Sequence, residues 1–290
     1  MSPTLRQVSL ALFLILLGST TTHAQLKRVL DPIAAKLEPD RTITYKTIGD
    51  RELKLHVFEP EGHQPTDKCP VFLVIHGGGW VNGEPRWFYP IADKFRDRGM
   101  YAVSLEYRLL SQGKENTVFD CVKDGRSAVR YLRAHAEELG IDPERIVAAG
   151  GSAGGHVAVG TALFDAVNDE SDDLAISCRP DLLVLFYPVI DTSEEGYGRQ
   201  KIGDRWQELS PVDHVQKGLP PTLVFHGTGD KVTPYAGAVE FQKKMQAAGN
   251  ECKLISHEGG RHGYFIFDMQ LYEREMSQVS EFLKEKQFIP

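Results

Sequence analysis

The sequence predicts an α/β fold, with a mainly parallel β-sheet, helices on both faces and an antiparallel hairpin at the N-terminal end. Short apolar runs alternate along the chain with longer segments that repeat at helical spacing, which is typical of strand–helix–strand units. Residues 71–75 are apolar throughout, as expected of a strand covered on both faces. Residues 42–46 and 53–57 instead alternate apolar with polar side chains, which indicates a hairpin with one wet face.

The remaining elements follow the same rhythm. Further strands are predicted at residues 101–105, 145–149, 182–187, 222–226 and 252–256, and helices at 118–139, 153–164, 234–248 and 269–286. In an open parallel sheet, ligands bind beyond the carboxyl ends of the strands. The residues that follow each predicted strand are therefore the ones to inspect for chemistry.

The N-terminal segment has the pattern of a secretory signal peptide. Arg6 precedes an apolar run at residues 8–17, and small and polar residues lead to Ala24. A run of ten residues is too short for a membrane span, which needs about 20. We expect residues 1–24 to be removed near Ala24 and residues 25–290 to form one domain, secreted or periplasmic, without a stable membrane anchor after cleavage.

Charge and cysteine content limit the partners. The formal net charge of the chain is −7 and no basic cluster stands out, which argues against a nucleic-acid partner. The four cysteines form no C-x-x-C pair, so no metal site is predicted. Two disulfides in an oxidising compartment and single buried thiols both remain open for the four cysteines, Cys69, Cys121, Cys178 and Cys252.

A nucleophilic serine is predicted at Ser152. The motif Gly150-Gly151-Ser152-Ala153-Gly154 lies between a predicted strand and a predicted helix, which is the context of a nucleophile elbow. Glycines two positions before and after the serine remove side chains that would collide in so tight a turn and tolerate its strained backbone. The serine then lies at a helix N-terminus, whose dipole favours developing negative charge.

A serine hydroxyl needs a base, and the base needs an acid that orients it. After an elbow of this type, the acid and then the histidine follow at later strand ends. Asp230 comes shortly after strand 222–226 and His262 shortly after strand 252–256, both among glycines. These three residues form the predicted triad.

Other residues compete for these roles. Asp191 also follows a predicted strand and is the alternative acid, and His257 is the alternative base. His226 and His156 are interpreted as structural, because one lies in a strand and the other in the helix after the elbow.

A glycine-rich loop, His76-Gly77-Gly78-Gly79-Trp80, follows the apolar strand 71–75. Glycines let backbone N–H groups face a developing oxyanion, so Gly78, Gly79 and Ala153 are the predicted oxyanion hole. A phosphate-binding P-loop would need a Gly-Lys-Ser/Thr sequence, which is missing. His76 is expected to fix the loop by hydrogen bonding. No cofactor is expected.

In these motifs the chain resembles the bacterial esterase branch related to hormone-sensitive lipase, and within it the extracellular acetyl- and feruloyl-esterase-like enzymes. The resemblance covers residues 41–288 and rests on motifs at 76–80, 106–108, 150–155, 230 and 262–263. It implies an α/β-hydrolase fold and cofactor-free ester hydrolysis by the triad and oxyanion hole named above.

Two departures from that family concern the substrate. Residues 109–113 lack the Ala-Pro-Glu of lipase-like members, and residues 25–40 are too few for their helical cap. Little or no cap would leave an open site, which suits a polymer that carries a short acyl group. We expect short-acyl, above all acetyl, esters on a polysaccharide. An aromatic slot for feruloyl esters is the alternative, and its candidate residues are Trp80, Trp87, Tyr187, Tyr264 and Phe265.

Two other activities remain open. The same triad could cleave small amides or peptides, although a peptidase with an added β-propeller would not fit in this length of chain. A non-catalytic binding module with the same fold would not react with a fluorophosphonate probe.

Overall fold

The computed structural model describes residues 27–290. The predicted signal peptide and its cleavage position lie outside the described residues. Within them, one sheet of eight strands has the spatial order β1-β2-β4-β3-β5-β6-β7-β8. The strands are β1 (Arg41–Ile48), β2 (Arg51–Phe58), β3 (Cys69–Ile75), β4 (Tyr101–Leu105), β5 (Ile141–Gly151), β6 (Leu182–Phe186), β7 (Thr222–Gly227) and β8 (Cys252–His257).

The sheet is mainly parallel, as the sequence predicts. β1 and β2 form the antiparallel hairpin, and β2 runs antiparallel to β4. All pairings from β4 through β8 are parallel. The carboxyl ends of β3, β5, β6, β7 and β8 therefore meet at one edge.

Helices cover both faces. They are α1 (Asp31–Ala34), α2 (Tyr89–Arg96), α3 (Val118–Ala134), α4 (Ala136–Leu139), α5 (Ala153–Leu163), α6 (Arg199–Ile202), α7 (Tyr235–Ala247) and α8 (Met269–Glu285). One apolar core contains residues of α3, α5 and α7, and the other contains residues of α2 and α8. β3 supplies both cores: Leu73 faces the first, and Phe72 and Val74 face the second. This alternation explains why the strand is apolar at every position.

Three predicted boundaries were wrong. The helix expected at 118–139 is interrupted at His135, which has non-helical dihedral angles (φ −104°, ψ 20°). The strand expected to begin at residue 145 already begins at Ile141, where it pairs with Cys69. Tyr187 lies after β6 and has φ 36°. The helical spacing of apolar residues continues from Leu132 to Leu139, so the sequence does not reveal the break at His135.

The structure also shows the state of the cysteines and the contacts of an acidic loop. All four cysteines are free thiols. An acidic run at residues 168–173 is held against the protein by ion pairs. Asp169 pairs with Lys46 at 2.7 Å, and Asp172 pairs with Arg130 at 2.6 Å.

The connection between β6 and β7, where a cap could be inserted, has little helical structure. The connection to β7 contains α6 and two 3-10 segments, Gly203–Leu209 and Pro211–Asp213. This agrees with the expectation of little or no cap. Among the residues described, no helix combines the length and apolar character needed to cross a bilayer.

Candidate active site

Ser152 lies at the sharp turn between β5 and α5, with a strained backbone (φ 56°, ψ −122°). The flanking glycines are required by close backbone approach. A Cβ at Gly150 would lie 2.3 Å from the carbonyl oxygen of Gly154, and a Cβ at Gly154 would lie 2.1 Å from that of Ile75. A nonglycine residue at either position would therefore move the serine.

Ser152, His262 and Asp230 form a continuous hydrogen-bonded chain. The distance from Ser152 Oγ to His262 Nε2 is 2.9 Å, and that from His262 Nδ1 to Asp230 Oδ2 is 2.8 Å. The side chain of Asp230 is fully buried, whereas that of His262 is 23% exposed. Because an ionised carboxylate can only accept, Nδ1–H donates to Asp230, and the Nε2 lone pair faces the serine hydroxyl.

The turn after β7 saturates the Asp230 carboxylate with donors. Oδ1 accepts from the backbone N–H groups of Val232 (2.8 Å) and Thr233 (3.0 Å), and His226 Nε2 lies 3.4 Å from Oδ2. Burial by itself raises the pKa of Asp230, but hydrogen bonds from His226, His262 and Thr233 outweigh it and hold the pKa well below its ordinary value. The group is therefore an anion at any pH near neutrality.

Thr233 is a part of the site that the sequence analysis missed. Its hydroxyl lies 2.9 Å from Asp230 Oδ2, and 3.1 Å from His262 Nδ1. Its carbonyl oxygen accepts a hydrogen bond from His226 Nε2 at 2.7 Å. The available signal was a threonine three residues after the acid, within reach of its carboxylate in a tight turn.

The glycine loop lies beside the serine. A Cβ at Gly77 would lie 3.2 Å from the Cβ of Ser152. Gly78 (φ 118°) and Gly79 (φ 63°) adopt dihedral angles that favour glycine. Within the described chain, their N–H groups donate to no other residue. Ala153 begins α5, where a first-turn N–H has no partner inside the helix. All three N–H groups are thus available to a ligand.

A cavity of about 320 Å³ opens onto Ser152 and His262. Its walls combine the glycine loop with aromatic and aliphatic side chains and one arginine: Arg28, Trp87, Phe88, Tyr187, Tyr197, Val232, Ile266 and Phe267. Tyr187 packs edge-on against the His262 imidazole, with ring centroids 5.0 Å apart. The guanidinium carbon of Arg28 lies 4.7 Å from the centre of the Trp87 ring.

Of the five predicted pocket aromatics, Tyr187 and Trp87 line the cavity and three do not. Trp80 is fully buried, because it turns away from the loop and packs edge-on against His156. Tyr264 is 5% exposed and stacks on His257, and Phe265 lies in the core. These three predictions were wrong. For Tyr264 and Phe265 the reason is that the 3-10 segment Tyr264–Phe267 turns its first two rings inward. It places Ile266 and Phe267 in the cavity wall instead.

The other histidines have structural surroundings. Burial lowers the pKa of His76 and of His156 to about 4. His76 Nδ1 contacts the carbonyl oxygen of Gly77 at 2.8 Å, and His156 Nε2 contacts that of Leu209 at 2.7 Å. Both rings are neutral near pH 7 and hold loops around the elbow.

Asp191 and His257, the alternative acid and base, make no hydrogen bond to Ser152, His262 or Asp230. His257 Nδ1 lies 3.1 Å from Arg274 Nη2. Asp191 Oδ1 accepts a hydrogen bond from the backbone of Ser193 at 2.8 Å.

Comparison with solved structures gives the same architecture. Esterase 2 of Thermogutta terrifontis is 38% identical to this chain, with a TM-score of 0.82, over 86% of this chain and 95% of that one.

Curated relatives include esterase LipQ of Mycobacterium tuberculosis, 26% identical over 81% of this chain and 60% of its own length. Another is a probable isoprenylcysteine alpha-carbonyl methylesterase of Arabidopsis thaliana, 25% identical over 77% of this chain and 50% of its own length. The chain thus spans about half to three fifths of these relatives.

The BD-FAE family model matches residues 55–245. That span runs from β2 to α7 and includes the glycine loop, the elbow and Asp230. The chain therefore belongs to the BD-FAE family of α/β-hydrolases.

Proposed function

We propose that this protein is a serine carboxylic ester hydrolase. The observation that carries the proposal is the hydrogen-bonded chain from Ser152 through His262 to Asp230 at the mouth of a cavity. Such a chain activates a serine hydroxyl that is otherwise a poor nucleophile.

The reaction has two steps. Ser152 Oγ attacks the ester carbonyl while its proton passes to His262 Nε2, and the alcohol then leaves with that proton. Water attacks the acyl-enzyme, gives its proton to His262, and the acid departs as the proton returns to Ser152. Asp230 fixes the imidazole tautomer and stabilises its cationic form.

The backbone N–H groups of Gly78, Gly79 and Ala153 bind the oxyanion in both steps. Their groups are free to donate, and they adjoin Ser152. Loss of one such donor costs about 10²–10³ in kcat in comparable sites.

The substrate is a short-acyl ester, with acetyl groups on an exported polysaccharide as our specific candidate. Structures of the Thermogutta terrifontis esterase are described as propionate bound and butyrate bound, which supports a short acyl group here. The short connections around the site, in place of a helical cap, support a bulky alcohol part. Export through the signal peptide proposed at residues 1–24 would bring the enzyme to such a polymer.

An aromatic acyl group, such as feruloyl, is the second candidate. The cavity wall that favours it contains Trp87, Phe88, Tyr187 and Phe267. Flat rings pack against such a wall with good area and geometry.

A fluorophosphonate probe tests the catalytic claim. We expect stoichiometric labelling of the wild-type chain and none of Ser152→Ala, with Ser193→Ala as a labelled control. Structures of the Thermogutta enzyme are described as phosphonylated by sarin and phosphorylated by paraoxon. An unlabelled wild-type chain would leave a binding module as the better description.

A substrate series tests the second claim. We expect kcat/KM for 4-nitrophenyl acetate and butyrate to exceed that for octanoate, and acetate to be released from acetylated xylan. Faster turnover of octanoate would refute the short-acyl assignment. Release of ferulate but not acetate would favour the aromatic candidate, and release from an anilide would add amidase activity.

A further inference from the structure

Three potential metal ligands converge away from the catalytic residues, two in the connection between β2 and β3 and one at the first residue of β3. His63, Asp67 and Cys69 each offer one donor atom, and the three atoms all lie within 4.8 Å of one another. The sequence analysis predicted no metal site, because it looked for paired cysteines. The spacing His-x-x-x-Asp-x-Cys carries no such pair.

The histidine is oriented as metal-bound histidines are. Its Nε2 lies 2.9 Å from the carbonyl oxygen of Leu139, so Nε2–H donates there and the lone pair remains on Nδ1. That lone pair faces the other two residues. Metal-ligating histidines almost always donate their second ring nitrogen in this way, and this contact fixes the tautomer.

The distances fit a tetrahedral zinc ion. His63 Nδ1 lies 3.5 Å from Cys69 Sγ and 3.6 Å from Asp67 Oδ2. Zinc bonds of about 2.0–2.3 Å at tetrahedral angles place nitrogen and sulfur about 3.5 Å apart, and nitrogen and oxygen about 3.3 Å apart. The two distances from His63 therefore already match tetrahedral zinc to within a few tenths of an ångström, and the Cys69 and Asp67 donors lie within 4.8 Å of each other.

Hydrogen bonds hold the loop that carries these residues. The N–H of Gln64 donates to Asp67 Oδ2 at 2.8 Å, and the N–H of Cys69 donates to the carbonyl oxygen of Gly140 at 3.1 Å. The His63 side chain is 6% exposed and that of Asp67 is 42% exposed. His63 is thus buried, whereas Asp67 opens to water, which would supply the fourth ligand.

We propose that His63, Asp67 and Cys69 form a binding site for one zinc ion, coordinated through Nδ1, a carboxylate oxygen and Sγ. As the zinc–sulfur bond forms, the thiol gives its proton to solvent, and the metal exchanges water for protein ligands. One nitrogen, one sulfur and one oxygen donor suit a borderline-soft divalent cation. The bound ion would tie the β2–β3 connection together next to the start of β5. This proposal is independent of the proposed esterase activity.

Cobalt(II) is the spectroscopic probe for the experiment. Full-length, tag-free protein is freed of metal by dialysis against EDTA and titrated with Co²⁺. We expect one equivalent to produce a thiolate-to-cobalt charge-transfer band and the intense visible bands of tetrahedral cobalt. One equivalent of Zn²⁺ should abolish both.

Variants locate the site. Cys69→Ser should lose the charge-transfer band, and both Cys69→Ser and His63→Gln should weaken zinc binding by at least about tenfold. Cys178→Ser is the matched control, because Cys178 Sγ lies 3.5 Å from the carbonyl oxygen of Thr161 and a serine hydroxyl can keep that contact. It should bind metal as the wild type does.

Two further measurements exclude misfolding as an explanation. Turnover of 4-nitrophenyl acetate by Cys69→Ser should equal that of the wild type. In the wild type, Zn²⁺ should slow alkylation of Cys69 by iodoacetamide, as read by mass spectrometry. The proposal is overturned if the wild type shows no cobalt–thiolate band, if Cys69→Ser retains it, or if zinc leaves the alkylation rate unchanged.

Discussion

Two carboxylates, Asp124 and Asp230, have fully buried side chains, but their partners differ in kind. Asp124 lies in α3 and is held by two permanent cations. Lys46 Nζ and Arg108 Nη2 each lie 2.8 Å from its Oδ1, and Arg108 Nε lies 2.8 Å from its Oδ2. Asp169 joins the cluster through Lys46.

Asp230 is held by neutral donors and by two imidazoles. Among the described residues, no lysine or arginine forms an ion pair with it. Its negative charge is therefore matched fully only when one of these rings carries a proton, and in the proposed reaction His262 takes the proton of Ser152. The difference teaches that permanent ion pairs fix structure, whereas a carboxylate paired with a titratable ring can stabilise a charge that appears during a reaction.

The largest expected effect comes from Asp230→Asn. The amide cannot hold the imidazole in the required tautomer, so kcat should fall by about 10⁴ with the fold intact. Steady-state kinetics with 4-nitrophenyl acetate measure the loss. Asp191→Asn is the matched control, and a large loss there would transfer the role of acid to Asp191.

Asp124→Asn should act on stability and leave the chemistry unchanged. Removing one partner from a buried ionic cluster leaves Lys46 and Arg108 underneutralised, and the free energy of unfolding should fall by about 3–5 kcal/mol. Urea denaturation measures this. Asp165→Asn, which removes an exposed carboxylate near Arg179, should change it by less than about 1 kcal/mol. A reduced kcat in folded Asp124→Asn would contradict the purely structural role given to Asp124.

Acid should destabilise the fold around the Ser152 turn before it neutralises Asp230, whose pKa is lowered. His76 and His156 have folded pKa values of about 4, below the unfolded value of about 6.5. The unfolded chain therefore binds more protons between pH 6.5 and 4, and stability is lost as pH falls through that window, by at most about 3 kcal/mol per histidine. Asp230, with its lowered pKa, contributes to acid loss only below about pH 4.

Unfolding temperatures of the wild type and of His156→Gln, measured from pH 7 to 4, test this expectation. Glutamine can still donate to the carbonyl of Leu209 and does not titrate, so its curve should be flatter. His257→Gln, outside the two buried positions, should keep the wild-type slope. Parallel curves for all three proteins would contradict the assignment.

The smallest expected effect is that of Thr233→Val, which removes a neutral donor but no charge. Asp230 retains its backbone donors and His262, so kcat should fall only about tenfold, which corresponds to about 1.4 kcal/mol. Thr233→Ser keeps the hydroxyl and should restore the wild-type kcat, as measured by steady-state kinetics with 4-nitrophenyl acetate. An unchanged kcat in Thr233→Val would mean that Thr233 only fills space.

The sequence by itself determined the strand order along the chain, the two-sided core and the nearness of Ser152, Asp230 and His262. Apolar runs such as residues 71–75 report burial on both faces, and parallel strands bring their carboxyl ends to one edge. Glycines at 150 and 154 are a local requirement of a tight turn and are readable without the fold.

Only the tertiary structure decided which side chains reach the cavity. Trp80 and Tyr264 turn into the core while Ile266 and Phe267 face the ligand space, because rotation within a loop or a short 3-10 turn leaves no periodic trace in sequence. Likewise, only the structure revealed the contacts of Thr233 and the cluster of His63, Asp67 and Cys69. Their roles depend on close approach between side chains that lie mostly in irregular segments, where spacing along the chain does not fix position in space.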